Sequence, residues 1–107
     1  MNYDLTVDIY KAMKAGDEHL LLQVLHAAIR YSSIRAEWRF KTIEERLETD
    51  KQRTSAHNAF IDAINILSRS MAKAGQSNDW KRLLPDDRKV IGDFACFLMA
   101  HLGILAR

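Results

Sequence analysis

A single proline, Pro85, and four glycines are all that punctuate this chain of 107 residues, and between them the apolar residues recur at steps of three and four. That period belongs to helices, and period-two strand patterns are absent. The expected fold is therefore all-α: a compact bundle of four main helices with a long third helix and a possible extra short helix before Pro85. The length is that of one domain, residues 1–107, long enough to bury a core with little to spare for a second.

Local signals divide the chain. A first short helix over about 4–15 stops at Gly16, a residue suited to a left-handed cap, and Asp17 can cap the next helix. The second helix, about 18–37, is expected to bury Leu21, Leu25, Ala28, Ile29 and Ser32. Thr42 and Glu45 form a capping-box pattern for a third helix that could run from 43 to 74 before Gly75 ends it. At 1.5 Å per residue such a rod reaches about 48 Å and outruns its predecessor by roughly 18 Å. It must kink near 50–54 or project beyond the bundle, and a projecting end would want a partner. A further turn over 79–84 precedes Pro85, and residues 85–87 read as the start of a last helix.

That last helix, ending near Leu102, is apolar on more than one side. Val90, Ile91, Phe94, Leu98, His101 and Leu102 form its main stripe, with Ala95, Cys96, Phe97 and Met99 spread around it. Such a helix belongs either at the centre of a small bundle or in a subunit interface. Gly92 and Gly103 would permit close approach of another helix, although a helix-end glycine explains Gly103 equally well.

The polar residues of the third helix are unusual. Asn58, Asp62, Asn65 and Arg69 recur at steps of four, three and four, which places them on one helix face. Asn and Asp compete with the backbone for hydrogen bonds, so their choice over Glu and Lys suggests a specified contact. The stripe can be an interhelix network, a partner surface or a small-ligand site. The rule that buried polar groups are paired favours the network, with Asp62 facing Arg69 and Arg88. Asp93, a lone carboxylate on an apolar helix, calls for Arg53 or Arg88. His57 lies among Phe60, Ile61 and Ile64 and is expected to be a core histidine satisfied by a carbonyl or carboxylate. Asp50 and Arg53 share its side of the helix, so Asp50, Arg53 and His57 could form a buried network or the floor of a pocket.

Motifs for chemistry are missing where they would be needed. Carboxylate-bridged metal bundles place Glu or Asp three residues before a histidine, and those positions here hold Gly16, Gln23, Thr54 and Leu98. His19 and His26 are two turns apart, too far to bind one ion unaided. Glu44, Glu45 and Glu48 resemble half of the magnesium-binding acidic helix of nucleotide pyrophosphohydrolases. No second carboxylate pair follows, and acids in a first turn suit the helix dipole. No serine elbow or glycine-rich phosphate loop occurs. No cofactor or metal is expected.

Charge gives little direction, because 16 Lys and Arg face 14 Asp and Glu and the two signs are interspersed. One local stretch is basic and aromatic: Arg30, Arg35, Arg39 and Lys41 interleave with Tyr31, Trp38 and Phe40. It could hold phosphates and stack on bases, although helical geometry spreads these residues over several faces. The single Cys96 cannot form an intramolecular disulfide, which fits a buried thiol in a reducing compartment. With acids at Asp4 and Asp8 near the start and no long apolar segment, neither export nor membrane insertion is expected, and the cytoplasm is the default location.

The run RTSAHNAFIDAINILSR, followed by the Asp79-Trp80 pair, LLPDDRKVIGDFACF and the terminal Gly-Ile-Leu-Ala-Arg, resembles a family of small uncharacterised helical proteins from Gram-positive bacteria. The resemblance covers about residues 53–107. It implies a bacterial, cytosolic, all-helical domain and brings no activity and no catalytic residue with it.

Surplus apolar surface without a catalytic constellation suggests a non-enzymatic interaction or regulatory module, a homodimer through the last or the third helix. The alternatives are a small-molecule-binding protein or enzyme with a polar pocket around His57, and a nucleic-acid-binding protein using the 30–41 stretch.

Overall fold

The protein is described by a computed structural model covering residues 3–85 and 87–105, with side chains given for 4–85 and 87–101. The expectations attached to Asp86, and to the side chains at Leu102 and Gly103, lie outside those described. Among the described residues the elements are α1 (Tyr3–Met13), α2 (Glu18–Trp38), α3 (Ile43–Lys73), a 3-10 turn (Asp79–Leu83) and α4 (Arg88–Leu105), with no strand. The fold is an all-α bundle.

The starts of α2, α3 and α4 are each capped by a side chain that the local sequence supplies. Asp17 Oδ1 accepts the Leu20 N–H at 2.9 Å to start α2. Thr42 Oγ1 accepts the Glu45 N–H, and Glu45 Oε1 accepts the Thr42 N–H in return, both at 3.2 Å. This closes the capping box and satisfies two donors that the first turn would leave orphaned. The Thr42 contacts also hold the Glu45 carboxyl below its ordinary value. At the other end of α3, Gly75 takes φ +72°, and Gln76 N–H reaches back to Met71 O at 2.8 Å while Gly75 N–H reaches Ala72 O at 3.1 Å. That pair of bonds is a Schellman cap. Asp87 Oδ1 accepts the Val90 N–H at 3.1 Å and opens α4.

Gly16 serves a different purpose from the one its position suggested. It is not left-handed; a Cβ there would lie 2.8 Å from Leu67 Cδ1 and 3.0 Å from Met71. The α1–α2 turn is thus pressed against α3, and Gln76 Nε2 ties the same place down by donating to Ala15 O at 2.6 Å.

The helix that carries the fold is α2, which packs against both α3 and α4. It buries Val24, Leu25, Ala28, Tyr31 and Ser32, whereas Leu21 and Ile29 are half-buried. Of the two places expected for so apolar a last helix, the centre of the bundle is taken by α2. α4 sends Ile91, Phe94, Ala95 and Leu98 inward and leaves Val90, Cys96, Phe97, Met99 and His101 half-buried. Rings link the layers: His57 sits edge-on to Tyr31 at 5.4 Å, and contacts of 4.6–6.4 Å continue through Phe60, Phe94, Phe97 and His101 to Tyr10 on α1. The 3-10 turn packs on α1 and places Trp80 in the core at 3 % exposure.

α3 runs unbroken for 31 residues, and the molecule is 48 Å long. Its buried residues are Ala56, Phe60, Ile64, Leu67, Ser68 and Met71. No residue of α3 before Ala56 is buried. Of the two geometries open to so long a rod, projection is the one adopted: the first three turns stand clear of the core.

Candidate functional site

The polar stripe of α3 faces solvent. Asn58, Asp62 and Arg69 are exposed and Asn65 is half-buried. Among the described residues no ion pair joins Asp62 to Arg69 or Arg88, and Arg88 Nη2 donates instead to Thr54 Oγ1 at 3.2 Å. The stripe lies about 170° around the helix from Ala56, Phe60, Ile64, Leu67 and Met71, so it points away from α2. The expected interhelix network is replaced by a solvated face.

The candidate polar residues do not converge on one pocket. Asp50, Asn58 and Asp62 border an open groove on the outer side of α3 with Lys51, Thr54 and Ser55. Asn65 lines a small recess of about 230 Å³ beside Leu84, Pro85 and Ile91. His57 is half-buried, and one ring nitrogen, Nδ1, lies 3.2 Å from Asn58 Oδ1. It is an aromatic neighbour of Tyr31 and borders neither recess.

Arg53 turns the other way, toward the end of α2. Its guanidinium lies over the Trp38 ring at 4.0 Å, a cation–π stack, while Asp50 approaches from outside at 3.6 Å. Arg46 reaches the same ring at 5.8 Å and donates through Nε to Trp38 O at 3.2 Å. Trp38 therefore joins the end of α2 to the start of α3.

Asp93 is paired with Arg35 at 3.6 Å, in place of the expected Arg53 or Arg88. Gly92 explains why: a Cβ there would overlap the Arg35 guanidinium. The close approach that Gly92 permits is made by a side chain from α2. From that position Arg35 Nη1 reaches Cys96 Sγ at 3.9 Å and the guanidinium stands 5.8 Å from the Tyr31 ring.

These contacts surround a cavity of about 360 Å³ between the end of α2, the middle of α3 and α4. Three guanidinium side chains, Arg35, Arg39 and Arg53, line it, and none of its lining residues is acidic. Trp38, Phe40, Ala36, Met99 and Cys96 supply apolar wall, and Ser32 lies at its base. Arg53 Nε is buried with no hydrogen-bond partner. The sequence grouped Arg35, Arg39, Trp38 and Phe40 in one stretch and missed Arg53, Cys96 and Met99, which reach the same space from other helices. Tyr31, by contrast, is core at 1 % exposure.

No family model, curated protein or solved structure matches the chain. Its role is argued from this geometry. Among the described residues no group of three His, Cys, Asp or Glu side chains is placed to hold a metal ion, and no helix is long and apolar enough to cross a membrane.

Proposed function

We propose that the chain is a small helical interaction module without catalytic activity, which pairs with a second copy of itself through the corner where α2 gives way to α3. The observation that carries this reading is the exposure of three large apolar residues on one projecting corner: Phe40 at 88 %, Ile43 at 76 % and Leu47 at 74 %. Ile43 and Leu47 stand one turn apart on the same side of the rod. Clustered apolar exposure of this kind marks interaction surfaces.

A second copy suits the corner because its two sides carry opposite charge. The end of α2 bears Arg30, Arg35, Arg39 and Lys41 against Glu37, whereas the start of α3 bears Glu44, Glu45, Glu48 and Asp50 against Arg46. A two-fold axis through the apolar residues brings the basic side of one protomer to the acidic side of the other, as a self-complementary interface requires. The half-buried thiol of Cys96 is compatible with the reducing conditions of a cytoplasm.

Sedimentation equilibrium across micromolar concentrations tests the pairing. The wild-type chain is expected to dimerise and Leu47→Glu to remain monomeric with unchanged helicity. A wild-type monomer throughout that range, or a Leu47→Glu dimer, would refute it.

A further inference from the structure

We infer that the cavity among Arg35, Arg39, Arg53, Trp38 and Met99 is a binding site for a small organic anion, a carboxylate or phosphate monoester carrying an apolar body. The inference is independent of self-association, although Phe40 stands at both the cavity rim and the proposed interface.

The charge argument is that three guanidinium groups border one space and no carboxylate does. Asp93 and Asp50 each approach one arginine, at 3.6 Å, but their side chains are 59 % and 54 % exposed and neither lines the cavity. They hold the arginines from the solvent side. Arg39 has no acidic partner among the described residues. Arginine donors converging on a partly dry recess suit carboxylate or phosphate oxygens, because their forked geometry pairs two donors with two acceptors.

Two of the arginines, Arg35 and Arg53, are also held in place before any ligand arrives. Arg53 is stacked on Trp38, and Arg35 is seated across Gly92, where no side chain competes for the space. Ordering that is already complete in the free protein lowers the cost of binding. The remaining walls, Trp38, Ala36 and Met99, are apolar, so a bare inorganic anion would leave them uncovered. A volume near 360 Å³ lies within the range of ordinary small-molecule sites.

The test is calorimetric titration of the full chain with octanoate, octyl phosphate and, as the neutral control, 1-octanol. One of the two anions is expected to bind at one per chain, at least about tenfold tighter than octanol, and to lose about tenfold or more in Arg53→Gln and in Arg39→Gln. Arg39 is exposed, so its replacement leaves folding intact even if Arg53→Gln does not. The single Cys96 gives an independent readout, because an occupied cavity slows its alkylation by iodoacetamide. Equal affinity for octanol, no binding up to about 1 mM, unchanged affinity in both variants, or attachment to phosphatidylglycerol vesicles without binding of monomeric octyl phosphate would each overturn the site. Leu47→Glu is expected to leave anion binding unchanged, which separates failure of the site from failure of the dimer.

Discussion

Two glycines show how much a single hydrogen atom decides in this molecule. At Gly16 an added methyl meets Leu67 and Met71, which are fixed in the core. Gly16→Ala is expected to cost about 1–3 kcal/mol by overpacking, read from urea unfolding. At Gly92 the obstacle is the far end of Arg35, which can swing into solvent. Gly92→Ala should therefore keep its stability within about 1 kcal/mol, since alanine favours helix, while displacing Arg35 from Asp93 and Cys96. A faster Cys96 alkylation rate would report that displacement. The sequence marked both glycines, but local signals cannot tell which atom approaches, because the approaching group comes from a distant part of the chain. Thr42 and Glu45 were fully legible, since a capping box lies within four residues. Thr42→Ala should cost about 1 kcal/mol near neutral pH. Glu45 titrates below its ordinary 4.5 because Thr42 donates to its carboxylate. The stabilisation from that contact is thus fully present above pH 4.5 and is lost as pH falls through the lower folded value, so the penalty of Glu45→Ala, which removes the carboxylate, should shrink in acid.

Helix starts and stops follow their caps closely at the scale of elements, and the length of α3 follows from the absence of any breaker between Thr42 and Gly75. What could not be read was which face of α3 has a neighbour. Both the apolar stripe through Phe60 and the polar stripe through Asp62 have helical period, and burial of the second would need a helix on that side. The structure supplies none there: α2 covers one face of α3, and Asn58, Asp62 and Arg69 are left in water. Substitution of Asp62 by alanine is expected to change stability by no more than about 0.5 kcal/mol, as at other solvated positions. Phe60→Ala, on the opposite face and fully buried, should cost about 3–5 kcal/mol. Thermal or urea unfolding of the two variants separates the faces. The arginine-lined cavity was half legible for a related reason. Arg35, Arg39, Trp38 and Phe40 are close in sequence, whereas Arg53 joins them only once the α2–α3 turn has folded α3 back along α2.

The whole molecule is a short bundle with a long rod leaning out of it. Its core runs from Tyr10 through the ring contacts to His57, and the first three turns of α3 add nothing to that core. Their stability in isolation rests on the capping box and on the Arg46 and Arg53 contacts to Trp38. A segment held so lightly, with apolar residues turned outward, gains protection when a second copy covers it. Amide hydrogen exchange at two protein concentrations tests this most directly. Self-association through the corner predicts that amides of residues 39–52 exchange more slowly at the higher concentration, while those of α4 do not change. Concentration-independent exchange over 39–52, or protection that appears along α4 instead, would contradict it.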